Sequence, residues 1–256
     1  MVKPHNIISK LRHRLMLTGW TQAAREAETA ELATLRAQRQ MARQLCVPLQ
    51  ELSHIADGRL GLPRIGSSTF ARPAGTDWSW RPRLWRGALP HRGIAPAGSK
   101  ARLGTELRVF HDCPLSEISL QQVRNSRDHD LAPFGVAMEI FGFQGSFLSL
   151  VIDLPDKVCE AFRKQYLIQL AATVEREHPM KIYARLNVKH GPNVQEYLLT
   201  VPDDETEATL AFDLAYGELN VKRVEKMWLD LIFENPGMNK VTLRDLNFCR
   251  YPRAEI

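Results

Sequence analysis

From about Leu103 onwards, apolar and polar side chains alternate along the chain with the two-residue period of a β-strand. The alternation is clearest in Met180–Lys189, where Tyr183, Arg185 and Asn187 interrupt a series of apolar residues at every second position. Successive side chains of a strand point to opposite faces, so this pattern predicts strands with one buried face. A chain with this feature over most of its length is expected to fold into packed sheets.

Ten such runs follow one another, separated by turn-forming residues such as Gly191-Pro192-Asn193 and Asn235-Pro236-Gly237. The runs are Thr105–Phe110, Glu117–Val123, Phe134–Phe141, Phe147–Ile152, Tyr166–Glu175, Met180–Lys189, Val194–Val201, Ala208–Leu214, Val224–Phe233 and Val241–Cys249. One short predicted helix, Asp156–Arg163, interrupts them. This succession predicts a mainly β protein, an antiparallel β-sandwich rather than a fold of alternating strands and helices.

Residues 1–60 have apolar side chains at helical spacing and many cationic side chains. We predict a basic helical arm here, in which Thr21 caps the start of a second helix and Pro48 ends or kinks it. The first 102 residues carry a formal charge of +11 and the rest −6, which together give the net charge of +5. Such an arm suits an anionic lipid surface, a phosphate backbone or the chain's own acidic domain.

Residues 61–104 are rich in proline and glycine, which predicts little regular structure. They also contain Trp78, Trp80 and Trp85, whereas disordered linkers lack aromatic residues. We therefore predict an extended segment that packs on a sandwich domain formed by residues 105–253. The alternation of Trp78 and Trp80 also fits an added edge strand.

A polar cluster is predicted at the end of one strand. Arg185 and Asn187 share the polar face of Met180–Lys189, and His190 and Asn193 lie in the turn after it. Arginine offers a planar set of donors and asparagine offers both a donor and an acceptor, which suits sugar hydroxyls or a carboxylate. The alternative interpretation is a solvated sheet face that ends in an asparagine-assisted turn.

The three tryptophans of the extended segment also have two interpretations. Trp78, Trp80 and Trp85 could stack on sugar rings or bases, with arginines between them. Alternatively they anchor the segment on the sandwich, since burial is the usual fate of large rings. Together with the polar cluster they make up the predicted ligand-binding residues.

The sequence gives little support for a metal site or a catalytic site. His111-Asp112-Cys113 has no second ligand pair at regular spacing and is interpreted as a strand-end turn. Asp230 and Asp245 could hold a calcium ion, and Glu225 with Asp230 could form a glycosidase pair, but no cluster of acidic residues or further motif supports either. We predict no metal, no cofactor and no catalytic residue.

Five stretches carry a resemblance to a known family: Gly75–Pro82, Phe110–Pro114, Gly145–Leu150, Ala184–Asn193 and Phe212–Tyr216. Over these residues the chain resembles an uncharacterised alphaproteobacterial family, a domain of unknown function. That family brings no assigned activity and therefore no catalytic residues.

A second resemblance concerns Trp228–Pro236 and Val241–Leu246, which form a strand, a short polar turn and a strand that carries an aspartate. These residues resemble the closing strands of jelly-roll, galactose-binding-like carbohydrate-binding modules. The resemblance implies a jelly-roll sandwich and points to a sugar as the class of ligand.

These observations leave three functional hypotheses. The first is a non-catalytic module that recognises a carbohydrate or a protein partner through the sandwich face. The second is a peripheral membrane or scaffold protein that docks through its basic N-terminal helices, with residues 1–20 as the contact for an anionic membrane surface. The third is a carbohydrate-active enzyme. The sequence has no continuous apolar run of the kind found in secretory signals or membrane spans, so we expect a cytoplasmic protein, with the arm as a route to an anionic membrane. Nucleic acid is the least expected partner.

Overall fold

The structure, a computed structural model, describes residues 5–61 and 69–253. Its α-helices are His5–Glu26 (α1), Leu32–Gly61 (α2) and Arg83–Arg86 (α3). The chain divides into two compact units, Met1–Leu52 and Ser53–Ile256, and the boundary falls inside α2. Residues 1–4 of the predicted arm and residues 62–68 of the predicted extended segment lie outside the described residues.

The described part of the chain forms thirteen strands. They are Trp78–Trp80 (β1), Gly93–Ile94 (β2), Arg102–Leu103 (β3), Leu107–His111 (β4), Ile118–Arg124 (β5), Phe134–Ile140 (β6), Leu148–Asp153 (β7), Tyr166–Arg176 (β8), Ile182–His190 (β9), Asn193–Val201 (β10), Glu207–Asp213 (β11), Val224–Phe233 (β12) and Asn239–Pro252 (β13). The predicted helix after β7 is a single 3-10 turn, Asp156–Cys159.

The strands build two antiparallel sheets. Sheet A has the order β11-β8-β13-β6-β5-β2, and β1 pairs with the C-terminal part of β13, beyond the residues that pair with β6. Sheet B has the order β10-β9-β12-β7-β4-β3. Within them, β6-β13-β8-β11 and β7-β12-β9-β10 are the two four-stranded halves of a jelly roll. The predicted antiparallel β-sandwich of jelly-roll type, with a helical N-terminal region, is confirmed.

All ten predicted runs correspond to strands, β4 to β13. The strands β2 and β3 were not predicted, because two residues are too few to show an alternation. The alternation fixes which side of each strand is buried. On β9, for example, Leu186 and Val188 are fully buried between the sheets, while Arg185 lies on the outer face of sheet B. Truncation of such a leucine to alanine typically costs about 2–5 kcal/mol, so these inner faces stabilise the fold.

The structure overturns the prediction for Thr21 and one of the two alternatives predicted for Pro48. Thr21 does not cap a helix but lies inside α1, where its hydroxyl donates a hydrogen bond to the carbonyl of Leu17 (2.7 Å). Pro48 does not end the second helix, since α2 continues to Gly61. Proline removes one backbone donor, and the hydrogen bonds of a 30-residue helix on either side of it maintain the helix. None of the described helices is both long and apolar enough to cross a membrane.

The tryptophan-containing segment lies on sheet A. Trp80 on β1 is paired in register with Phe248 on β13, and the two rings stack at 5.8 Å between centroids. Arg81, at the end of β1, donates to the carboxylate of Asp245 at 2.7 Å, and both side chains are buried. Asp77 accepts from Arg250 at 2.9 and 3.0 Å. Two arginine–aspartate pairs therefore hold this segment against the sheet.

Candidate ligand-binding site

The outer face of sheet B carries a groove of about 460 Å³. Four neighbouring strands supply its walls, because their outward residues lie in register. Arg185 on β9 lies opposite Asp230 on β12, which lies opposite Val151 on β7, which lies opposite Arg108 on β4. The groove therefore runs over the middle of the sheet. Its lining residues are Arg108, Phe110, Phe147, Ser149, Val151, Arg185, Trp228, Asp230 and Ile232.

Asp230 is the central polar group of the groove. Its Oδ2 atom accepts hydrogen bonds from Arg185 Nε (3.1 Å), Arg185 Nη2 (2.8 Å) and Asn187 Nδ2 (3.0 Å). Its Oδ1 atom accepts none from the described residues. Arg185 is also within 3.4 Å of Glu196. Three donors thus fix the orientation of a buried carboxylate and leave one of its oxygens available to a ligand.

A second charged group lies on the other side of the groove. Arg108 Nη2 lies 2.7 Å from Oδ2 and 2.8 Å from Oδ1 of Asp153, and Lys226 Nζ lies 2.8 Å from Oδ1. The guanidinium carbon of Arg108 also lies 5.6 Å from the centre of the Phe110 ring. The ring and the carboxylate together restrict the arginine to one position, from which it can donate to a ligand.

Aromatic and aliphatic side chains form the apolar part of the groove. Trp228 and Ile232 project from β12 on either side of Asp230, and Phe110 projects from β4. Phe147 comes from the loop between β6 and β7 and is about half exposed. A large ring beside fixed donors and acceptors offers an apolar face and directional hydrogen bonds at the same place.

Asp112 holds the loop that carries Phe147. Its Oδ1 accepts from the backbone N–H of Ser146 (2.7 Å) and of Phe147 (3.1 Å), and its Oδ2 accepts from the Ser146 hydroxyl (2.6 Å). These hydrogen bonds, above all that from the Ser146 side chain, lower the pKa of Asp112 below its usual value. The ionised carboxylate thus ties Ser146 and Phe147 to the residue that follows β4.

The structure brings two of the seven predicted ligand residues to the groove. Arg185 lines it, and the buried Asn187 supports it through Asp230. The prediction that His190 lies in a turn is wrong, because β9 includes it and its side chain is buried, with Nδ1 accepting from Asn220 N–H at 3.4 Å. The turn is the pair Gly191-Pro192, and Asn193 is exposed at the start of β10.

The three tryptophans lie away from the groove. Trp78 and Trp80 are half-buried on β1, in sheet A. Trp85 is fully buried in α3, and its indole N–H donates to the carbonyl of Leu243 at 3.0 Å. The groove has an aromatic of its own, Trp228, which the sequence analysis missed as a ligand residue together with Asp230. The alternation within β12 could have found both, since Met227, Leu229, Leu231 and Phe233 occupy the inner positions.

The alternative roles for acidic residues do not fit the geometry. Asp230 is in sheet B and Asp245 is in sheet A, and each is paired with a different arginine, so the two do not share a calcium ion. No group of three or more His, Cys, Asp or Glu in the described part of the chain could hold a metal. Glu225 is exposed and paired with Lys189 at 2.8 Å, and the hydrogen bond and charge of this lysine lower its pKa. A carboxylate with a lowered pKa is a poor general acid.

The family of the chain follows from a match over its whole length. Residues 1–256 match the model of a family described as "Family of unknown function (DUF6478)". The chain belongs to this family. A search of curated proteins found no match. The expected alphaproteobacterial origin stays a prediction.

The solved structures that are similar to the chain include carbohydrate-binding modules. The enzymatically active domain of Bacteriophage CBA120 tailspike protein 4 shares 5% identity at a TM-score of 0.42, over 62% of this chain and only 21% of that chain. A family 11 carbohydrate-binding module from Clostridium thermocellum, in complex with a β-1,3-1,4-mixed-linked tetrasaccharide, shares 12% identity at a TM-score of 0.37, over 64% of this chain and 97% of that chain. The CBM22-1 xylan-binding domain of Paenibacillus barcinonensis Xyn10C shares 8% identity at a TM-score of 0.35, over 64% and 94%. At these values the similarity concerns the fold.

Proposed function

We propose that this protein is a non-catalytic carbohydrate-binding protein and that its ligand, an oligosaccharide, occupies the groove on the outer face of sheet B. The observation that carries the proposal is the arrangement around Asp230: a buried carboxylate that lines a groove with aromatic residues, with one oxygen fixed by three donors and the other without a donor among the described residues. Sugar hydroxyls donate to a carboxylate and accept from arginine, and the C–H faces of a sugar ring pack on an indole.

The size of the groove supports a small ligand rather than a protein. A volume of about 460 Å³ lies within the range of small-molecule sites. The centres of protein–protein interfaces are depleted of charged residues, whereas Arg108, Arg185 and Asp230 lie in the middle of this face. A chain of sugar rings can use both the charged groups and the rings of Trp228 and Phe110.

The pairing of the carboxylates supports binding rather than catalysis. On this face, Asp230 is engaged by Arg185, Asp153 by Arg108 and Lys226, and Glu196 by Arg185. A glycosidase requires one carboxylic acid that gives up a proton and a second carboxylate that acts on the sugar. These three carboxylates instead hold cationic side chains in place.

The test is a glycan array followed by isothermal titration calorimetry with the full chain, using neutral and acidic oligosaccharides. We expect at least one oligosaccharide to bind with a dissociation constant in the millimolar range or below. Trp228→Ala should weaken its binding by roughly tenfold, because a stacked ring is lost. Asp230→Asn should weaken it by roughly 10- to 100-fold, because a charged acceptor becomes neutral.

Two matched variants control for general effects. Tyr216→Ala removes an exposed ring, and Glu139→Gln removes a carboxylate that pairs with Lys240 on sheet A. Neither should change oligosaccharide binding. The proposal is wrong if the folded wild-type chain binds no oligosaccharide of the array, or if these controls weaken binding as much as Trp228→Ala and Asp230→Asn do.

A further inference from the structure

The helix α1 has two apolar sides with different surroundings. One side faces α2: Trp20 and Ala23 are half-buried there, and His13, Met16, Leu17 and Trp20 line a groove together with Ala42, Leu45, Cys46 and Leu49. On the other side Ile8, Leu11 and Leu15 are 56%, 60% and 65% exposed. Their spacing of three and four residues places them in one stripe along the helix. Among the described residues of its own unit, none covers this stripe.

Cationic residues lie in the same turns of the helix as the exposed stripe. Lys10, Arg12 and Arg14 lie between its apolar members in sequence, and none of the three has an ion-pair partner in the described part of the chain. The first carboxylate of α1 is Glu26, its last residue. The part of the helix that carries the stripe is therefore purely basic.

We propose that α1 is an interfacial helix that binds an anionic lipid surface. Ile8, Leu11 and Leu15 enter the boundary between headgroups and acyl chains, while Lys10, Arg12 and Arg14 extend to the lipid phosphates. The stems of lysine and arginine can lie along apolar surface while their charged ends remain among polar groups. Such a helix lies in the plane of the membrane surface rather than across it.

The charge of the helix decides between this occupant and two others. If the α1 helix of a second copy packed on this one, it would cover the stripe but would bring the same three cations and no carboxylate before Glu26 to neutralise them. A nucleic acid would neutralise the cations but leave Ile8, Leu11 and Leu15 in water. An anionic membrane satisfies both kinds of side chain.

The test uses the full chain and two kinds of vesicle, one of phosphatidylcholine alone and one of phosphatidylcholine and phosphatidylglycerol in equal parts. Co-sedimentation should show binding to the anionic vesicles that weakens as salt is added. Arg12→Gln with Arg14→Gln should lower the partition coefficient by roughly thirtyfold, and Leu11→Ser with Leu15→Ser by at least roughly tenfold.

Matched variants in the other unit separate these effects from a general loss of charge or apolar surface. Arg163→Gln with Lys164→Gln removes two exposed cations, and Leu115→Ser with Met238→Ser removes two exposed apolar side chains. Both double variants should bind vesicles as the wild type does. Circular dichroism should show unchanged helix content for all four, because the substituted side chains are exposed.

Three results would overturn the proposal. The first is that the wild-type chain does not bind the anionic vesicles. The second is equal binding by the wild type and the Leu11/Leu15 variant. The third is a dimer in light scattering that becomes a monomer in the Leu11/Leu15 variant while no vesicle binding is detected, which would assign the stripe to a second copy. Because α1 lies outside the sandwich unit, a failure here leaves the oligosaccharide proposal untouched.

Discussion

Each sheet of the sandwich carries a buried aspartate paired with an arginine, and the two pairs differ in what covers them. On sheet A, Arg81 donates to Asp245 at 2.7 Å; on sheet B, Arg185 donates to Asp230 at 2.8 Å. Both aspartate side chains are 6% exposed, but the arginine is 0% exposed on sheet A and 35% exposed on sheet B. The same two residue types thus form a fully covered pair on sheet A, the closed sheet, and a partly exposed pair on sheet B, the open sheet.

The tryptophan-containing segment on sheet A, which includes β1 and α3 and is called the covering segment below, explains this difference. On sheet A, Arg81 belongs to the segment that lies on the sheet, and the ring of Phe70 lies 4.9 Å from its guanidinium carbon. Its pairing therefore fastens one part of the chain to another. On sheet B, Arg185 borders a groove, and its pairing keeps the cation in place beside a space that a ligand can enter. The exposed fraction of the arginine therefore distinguishes a pair that anchors a segment from a pair that faces a ligand groove.

The comparison predicts opposite consequences for two tryptophans. Trp85 lies in α3, within the covering segment, and is fully buried against sheet A, so Trp85→Ala should lower the free energy of unfolding by about 4 kcal/mol, through lost burial and an unfilled cavity. Trp228 is half-buried on the open groove, so Trp228→Ala should cost clearly less stability. Urea denaturation, monitored by circular dichroism, measures both.

Oligosaccharide titration adds the second half of this test. Trp228→Ala should weaken oligosaccharide binding. Trp85→Ala, measured at a urea concentration at which this variant is still folded, should bind the oligosaccharide as the wild type does. If the two variants lose equal stability and equal binding, the distinction between the closed and the open sheet is incorrect.

The two arginines give the next largest expected difference. Arg81→Met leaves the Asp245 carboxylate buried without its cation, and we expect a loss of about 3 kcal/mol in the free energy of unfolding. Arg185→Met should lose much less, because the Arg185 side chain is 35% exposed and its pair with Asp230 borders the solvent of the groove, whereas the Arg81 side chain is fully buried. Thermal and urea unfolding of the two variants provide the measurement.

A double variant checks the cause of this loss. In Arg81→Met with Asp245→Leu no charge remains buried, so much of the stability lost in Arg81→Met should return. If the double variant is as unstable as the single one, the loss reflects packing of the arginine stem rather than an uncompensated charge.

The sequence predicted the strands well and the covering segment only in part. Ten strands were predictable because every second residue must be apolar when one face is buried, and the same rule placed Arg185 and Asn187 on the outer face. The same rule places Asp230 and Trp228 on the outer face of β12, but it did not single them out as ligand residues, because an alternation cannot tell an outer side chain that borders a groove from one in bulk solvent. Which sheet the tryptophans cover depends on pairing between β1 and β13, residues far apart in sequence, and local patterns do not determine such contacts.

The smallest expected effect concerns acid stability and again distinguishes the closed sheet from the open one. For Asp77, burial raises the pKa, but hydrogen bonds from Arg250 and Tyr166 outweigh it, so the pKa is lowered in the folded state. A carboxylate with a lowered folded-state pKa stabilises the protein above its unfolded pKa of about 3.9, and that stability is lost as the pH falls through the folded value. Asp77→Asn should therefore be less stable than the wild type at pH 7, and the difference should shrink below about pH 4.

Glu225 is the matched control for this titration, because it also has a lowered pKa but is exposed, near the start of β12 in sheet B. Solvent screens its pair with Lys189, so Glu225→Gln should change the melting temperature little at any pH. Thermal unfolding of both variants and the wild type between neutral and acid pH makes the comparison. A pH-independent deficit in Asp77→Asn would mean that Asp77 acts through the shape of its hydrogen bonds rather than through its charge, and the anchoring of the covering segment would then not depend on ionisation.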